Sequence, residues 1–279
     1  MEDLYKEIKT RYGNVKRCRG FYLYTEKIRL LDMYLDGGMS VLGRRKTQAD
    51  LVLKQFTDKG LCTFLPTSAD YNLKKSLNLL FPNHKCIRFY FDFKKENKVL
   101  NLKNEDDFIL NLWKPFSQSS YFLEEKEAFF VLPPRCSSVK IAVFKPQFED
   151  IAPPSDYNFQ AAEKAALAKA FFDLIKKIEL EKKIGNLNDD AIINKTRGKK
   201  AKKQAVSDLR AYNKVKELCT KVWDFDGIYL LPKIKKNSYD VFFKKALDSK
   251  ILISPYFNIP SILPKIRVYT DLINFLRGF

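Results

Sequence analysis

Residues 20–43, GFYLYTEKIRLLDMYLDGGMSVLG, decide how the chain is read. Tyr22, Tyr24 and Phe21 crowd an alternating first part, Leu30 and Leu31 begin a second apolar run, and Gly37, Gly38 and Gly43 follow. Aromatic and branched residues suit a pleated surface, and glycines supply the sharp reversals between short runs, so the stretch reads as short strands joined by a turn. The glycine pair Gly37-Gly38 is read as a turn, because access to positive φ is the main use of glycine.

Downstream, Ala49, Val52, Leu53 and Phe56 fall at helical spacing between Lys46 and Lys59, with Gly60 as terminator. Leu73, Leu77 and Leu80 predict a second helix over 69–80, stopped by Pro82. CIRFYFDF, residues 86–93, is a strand by composition. Two buried strands are expected over 128–132 and 139–144, on either side of Pro133-Pro134. Leu167, Phe171, Leu174, Ile175 and Ile178 form an apolar stripe on a long helix over 160–180, with Asp156 or Asn158 as its cap. A polar, lysine-rich connector separates it from a helix over 205–222, and the remainder alternates strand, helix, strand and helix. The alternation gives an α/β fold without an internal repeat.

Composition narrows the function. The chain has 279 residues, 46% hydrophobic and 14% aromatic, which excludes disorder. No run reaches the roughly 18 apolar residues of a membrane span, and the first residues have no apolar signal core, so a cytoplasmic protein without a membrane partner is expected. Cys18, Cys62, Cys86, Cys136 and Cys219 are scattered and never form a C-x-x-C pair, so no metal site is expected. His84, in LFPNHKC, has no recognisable orienting partner and reads as a surface loop residue. None of the common phosphate-cradling or nucleophile-elbow motifs is present.

Fifty-one basic against 33 acidic residues leave a formal charge of +18. Abundant Lys, Ile, Asn, Phe and Tyr are what AT-rich codons would produce, so the total charge alone assigns nothing. Its distribution says more: Lys195, Arg197, Lys199, Lys200, Lys202 and Lys203 cluster in KTRGKKAKK as a candidate polyanion-binding tip.

The run Gly20 … Leu30-Leu31-Asp32 … Gly37-Gly38 … Leu42-Gly43-Arg44 resembles the N-terminal part of class III aminotransferases, pyridoxal-phosphate enzymes of fold type I. In that family a strand ends in a Leu-Asp pair and a Leu-Gly-His turn follows at the spacing of Asp32 and Gly43. Tyr239-Asp240, Phe242, Ala246-Leu247 and Ile251-Leu252-Ile253-Ser254-Pro255 are similar to its closing helix and strand. Ile262-Leu263-Pro264 and Tyr269-Thr270-Asp271-Leu272-Ile273 are similar to its terminal segment. Leu79-Leu80-Phe81-Pro82 and Ile87-Arg88-Phe89 resemble the approach to its Ser-Gly-Ser/Thr phosphate cup.

The resemblance implies a reduced aminotransferase-like architecture. A small domain would be formed from both termini, 1–45 plus 205–279, a reduced large α/β domain from 46–185, and a basic connector from 186–204. Against the pattern, the cup reads Asp92-Phe93-Lys94, the Gly-His turn reads Gly43-Arg44, the Asp-x-x-Gly between the first strands reads Tyr24-Thr25-Glu26-Lys27, and the late glycine is Lys250. The aspartate for the pyridine nitrogen and the Schiff-base lysine have no recognisable context, and only Lys140 and Lys145 stand near a suitable strand. Catalysis needs both groups, because the acid keeps the ring protonated as an electron sink and the amine carries the covalent link.

The expected function is therefore that of a degenerate aminotransferase-like protein without cofactor, in a binding, regulatory or scaffolding role, with a homodimer as partner. An active pyridoxal-phosphate aminotransferase and a nucleic-acid-binding protein using the basic loop are the alternatives.

Overall fold

The computed structural model describes residues 2–44, 48–91, 111–134, 139–185, 199–266 and 269–279. They fall into two compact units, one of residues 1–37 with 179–279 and one of residues 38–178.

In the first unit, β1 (Val15–Arg19), β2 (Tyr22–Thr25) and β3 (Arg29–Asp32) make an antiparallel meander. The fold brings the far end of the chain to this meander: Ile251 and Leu252 form a strand parallel to β3, in register with Leu31 and Asp32. Three more short strands, Trp223–Asp226, Tyr229–Pro232 and Ser261–Ile262, form a separate antiparallel sheet. The amide of Ile262 donates to the carbonyl of Met33 at 2.7 Å.

The reason for this closure is hydrophobic. Leu30, Met33, Trp223, Leu247, Ile251 and Leu272 are all fully buried in one cluster. The helix Tyr239–Asp248 contributes Tyr239, Phe242, Phe243, Ala246 and Leu247 at helical spacing, and Thr270–Arg277 contributes Leu272, Phe275 and Leu276. Trp223 sits edge-on to Phe242 with ring centroids 5.4 Å apart.

The turn singled out in the sequence has a specific construction. The buried Asp32 carboxylate accepts the amides of Tyr34 at 3.1 Å and Leu35 at 2.8 Å. Leu35, Asp36, Gly37 and Gly38 then run at φ 48, 54, 69 and 103°. Four successive left-handed residues explain the glycine pair, and the bonds from Asp32 to the amides of Tyr34 and Leu35 fix the entry into that strained run.

The second unit is built on β4 (Cys86–Tyr90), β5 (Leu112–Trp113), β6 (Ala128–Val131) and β7 (Lys140–Phe144), in the order β4-β7-β6-β5. β7 is antiparallel to both neighbours and β5 is parallel to β6. Hence β4, β5 and β6 run one way and end together at Tyr90, Trp113 and Val131, while β7 returns. Every residue of β6 is buried and so is nearly all of β7, as the two continuous apolar runs predicted.

Two of the expected helices appear as Gln48–Asp58 and Ser68–Leu80. The second starts with a capping box: Ala69 N–H donates to the Thr67 hydroxyl at 3.2 Å, and Thr67 N–H donates to Asp70 Oδ2 at 2.9 Å.

Four expectations need correction. The long helix spans Ala161–Gly185, and neither Asp156 nor Asn158 caps it; the amide of Gln160 donates to Glu163 Oε2 at 2.9 Å. The next helix begins at Lys199 rather than 205, because lysine and alanine are good helix formers and extend it backwards into the expected connector. β4 ends at Tyr90, with Phe91 in a bend beyond it; Asp92 and Phe93 of the expected strand lie outside the described residues. His84 is no surface residue: it is 2% exposed, its ring lies 4.8 Å from that of Phe129, and its Nε2–H donates to the Lys126 carbonyl at 2.8 Å. The turn after Pro82 folds the imidazole under the sheet, and burial pushes its pKa down against the opposing pull of the Lys126 carbonyl.

Candidate functional site

In open α/β sheets, ligands gather beyond the carboxyl ends of strands that run the same way. In the second unit that edge is marked by Tyr90, Trp113 and Val131. The direction of β7 separates the two lysines proposed from sequence. Lys140 opens β7 opposite Tyr90 and so lies at the carboxyl edge, whereas Lys145 follows Phe144 at the other edge, where its ammonium donates to the Glu125 carbonyl at 2.8 Å.

Asp92, Phe93 and Lys94, aligned with the phosphate cup, lie outside the described residues, but the two positions before them are defined. The outer edge of β4 is sealed by segment 155–157. Phe89 N–H donates to the Ser155 hydroxyl at 3.0 Å, and the Phe89 carbonyl accepts the amides of Asp156 and Tyr157 at 3.1 and 3.3 Å. Phe91 N–H donates to Asp156 Oδ1 at 2.7 Å. A carboxylate is thus bound to the backbone immediately before the positions that the resemblance aligns with the cup.

Behind this seam is a cavity of about 480 Å³, between helix Ser68–Leu80, β4, segment 155–158 and the first turn of the long helix. Leu73, Leu77, Ile87 and Phe89 supply apolar wall, and Lys74, Lys85 and Arg88 bring positive charge. Glu149 and Asp156 are the carboxylates on that side. Arg88 is held by donating to the carbonyls of Ile87 at 3.2 Å and Glu149 at 3.0 Å.

Lys164, 8% exposed, reaches into the same cavity and pairs with Asp70 Oδ1 at 2.7 Å. Burial raises the pKa of Asp70, but the Lys164 ammonium and the Thr67 amide outweigh it and the carboxyl ends below its ordinary value. Sequence reading missed Lys164. The signal was present: a lysine inside AAEKAALAKA, among alanines that are nearly all buried, needs a partner or a cavity for its ammonium.

The basic cluster is not gathered into this site by any described contact. Lys195 and Arg197 lie outside the described residues. Lys199, Lys200, Lys202 and Lys203 open the helix Lys199–Cys219, and their side chains are likewise outside the described part. Among the described residues no group of three His, Cys, Asp or Glu could hold a metal ion, and no helix is long and apolar enough to cross a membrane.

Known structures fix the class of this fold. Ornithine δ-aminotransferase from Plasmodium falciparum aligns over 99% of this chain and 96% of its own, with TM-score 0.61 and 8% identity. Acetylornithine aminotransferase from Elizabethkingia anophelis gives 0.58 at 9% identity, covering 99% and 97%, and an omega-transaminase from Sphaerobacter thermophilus gives 0.60 at 9%, covering 99% and 96%. The chain has the aminotransferase fold.

By sequence it is 32% identical over 301 residues to an uncharacterized protein of Treponema pallidum, covering 99% of this chain and 96% of that one, and it belongs to the same family as that protein. An uncharacterized protein of Borreliella burgdorferi is 28% identical over 272 residues, covering 94% and 88%. No protein-family model matches the chain.

Proposed function

We propose that this chain is an aminotransferase-fold protein that has given up pyridoxal-phosphate chemistry and acts by binding. The observation that carries the reading is the Asp156 carboxylate on the Phe91 amide at 2.7 Å. A cofactor phosphate placed just beyond β4 would meet this fixed negative charge, with Phe93 where the family has a glycine and Asp92 beside it. The described residues do not fit the cofactor in other respects. The most buried lysine near the sheet, Lys164, is tied to Asp70, and Lys145 is at the wrong edge. Of the two lysines proposed from sequence, Lys140 has the right place.

The test is to incubate the purified chain with pyridoxal phosphate, record its visible absorbance, reduce with borohydride and map any modified lysine. The expected outcome is no stoichiometric visible band and no fixed adduct. A yellow protein reduced onto Lys140 or Lys164 would overturn the reading in favour of an active enzyme. The fold also supports a two-fold homodimer, since symmetric pairs are the commonest assembly, and a monomeric mass by light scattering would count against it.

Nucleic-acid binding is favoured by one observation outside the cluster at 195–203. All of edge strand β1 is exposed, and Arg17 and Arg29 lie over the rings of Tyr24 and Tyr22 at 4.4 and 4.5 Å. Stacked arginine and tyrosine beside an open strand suit a phosphate backbone with unpaired bases.

A further inference from the structure

We propose that the cavity behind β4 is a binding site for a small organic anion, a carboxylate or phosphate carried on an apolar body, with Lys164 as its buried anchor. This rests on the binding role argued above and names the ligand class for it.

The donor count at Lys164 is the starting point. An ammonium has three N–H donors and no acceptor. One is given to Asp70 Oδ1, and no second acceptor faces the ammonium among the described residues, although the side chain is nine-tenths buried and lines the cavity. Leaving charged donors without acceptors in a desolvated site is costly, so an acceptor-rich group is the natural complement.

Asp70 meets the ammonium through one oxygen. Its other oxygen accepts the Thr67 amide at 2.9 Å and closes the helix cap. With Lys164 and Asp70 offsetting each other, the remaining charged lining is Lys74, Lys85 and Arg88 against Glu149 and Asp156. Asp156 is engaged by Phe91 N–H, and Arg88 keeps N–H groups beyond the two it gives to carbonyls. Positive charge is in excess at the cavity wall.

Shape agrees with charge. About 480 Å³ is within the range of small-molecule sites, and Leu73, Leu77, Ile87 and Phe89 offer an apolar bed for the body of the ligand while the anion meets Lys164. Inorganic phosphate would use the cations but not that bed. A neutral alcohol of the same body would offer the ammonium an acceptor without charge, and so the weaker bond.

The experiment titrates the purified full chain, without added cofactor, with phenyl phosphate, benzoate and benzyl alcohol, by calorimetry and by thermal unfolding. Saturable binding of at least one anion is expected, with no response to the alcohol; which anion binds tells a phosphate from a carboxylate ligand. Arg88→Gln, which leaves the Lys164–Asp70 pair intact, should weaken binding severalfold. Lys164→Met combined with Asp70→Asn, which retires the pair together, should weaken it about tenfold or more, the scale of one charge-assisted contact. If the double variant fails to fold, Arg88→Gln still decides.

Equal binding of the alcohol, no saturable binding of either anion up to about 10 mM, or parent-like affinity in Arg88→Gln would overturn the proposal. None of the probes is an aldehyde, so a chain that binds these anions yet forms a covalent adduct with pyridoxal phosphate would refute only the non-catalytic reading. A chain that does neither would refute only the anion site.

Discussion

The carbonyl of Lys250 accepts the amide of Leu31 at 2.9 Å, and with that bond the parallel pairing of the two chain ends begins. Lys250 also ends the helix Tyr239–Asp248, donating its own amide to Leu247 at 2.8 Å, and it does both at φ 64°. This left-handed conformation is why the similar aminotransferase pattern has a glycine at that point. Lys250→Gly should therefore raise the stability of the first unit by about 0.5–1 kcal/mol, the relief of the Cβ clash less the greater entropy of an unfolded glycine. Thermal unfolding measures it, and a lower midpoint for the glycine variant would show that the lysine side chain contributes more than its backbone costs.

Much of this closure could be read in the chain. Leu30 and Leu31 pair with β2 on one side, while their partner on the other, Ile251 and Leu252, is an apolar run more than two hundred residues away, and the resemblance at both ends brought the two together. What local pattern could not supply was the seam along β4. Ser155, Asp156 and Tyr157, between Pro153-Pro154 and Asn158, carry no strand pattern of their own, yet they satisfy the open edge of a strand more than sixty residues away. Lys164 escaped for a related reason: helical spacing shows which face is apolar, but not that the cap of another helix supplies a carboxylate to it. His84 was misplaced because a turn residue is usually exposed, and nothing nearby indicates that the chain returns beneath Phe129.

The Lys164–Asp70 pair makes a pH prediction with a definite sign. Asp70 titrates below its ordinary 3.8 in the folded chain, so its contribution to stability is complete above that value and is lost as pH falls through the lower, folded value. Asp70→Asn should flatten the acid limb of the stability curve below about pH 4. It should also cost about 0.5–1 kcal/mol at neutral pH, since Lys164 loses its charged acceptor but the Asp70 side chain is 41% exposed and water screens the pair. Denaturant titrations from pH 2.5 to 7 provide the check. Parallel curves for the two proteins would mean that the pair contributes nothing.

Thiol reactivity should separate four cysteines into two classes. Cys18 and Cys62 are exposed, while Cys86 and Cys219 are buried. Burial pushes the Cys219 thiol up to about 12 and raises that of Cys86, so neither offers thiolate at neutral pH. Labelling the native chain with iodoacetamide and mapping the adducts should find Cys18 and Cys62 modified well before the other two. Early modification of Cys219 would require the first unit to open far more readily than its apolar core allows.

The two basic regions make different predictions about polyanions. On the outer face of the meander, Arg17 pairs with Tyr24 and Arg19 with Tyr22 across β1 and β2, and Arg29 pairs with Tyr24 across β2 and β3. Among the described residues β1 has no strand on its other side, and its arginines Arg17 and Arg19 are exposed. If single-stranded nucleic acid binds there, Arg17→Gln with Arg19→Gln should reduce the salt slope by about 1.4, at about 0.7 for each phosphate that is no longer neutralised. Replacing Lys199, Lys200, Lys202 and Lys203 by glutamine should then change it little. The expected binding is weak and independent of sequence, as befits stacking without base-edge readout, and the β1 variant should fold as the parent does because its replaced side chains are exposed. Fluorescence anisotropy with a labelled oligonucleotide at several salt concentrations reads the slope directly. Loss of binding in the four-lysine variant with an unchanged slope in the β1 variant would move the polyanion site to the helix Lys199–Cys219 and leave the arginine and tyrosine ladder as a surface that packs only against itself.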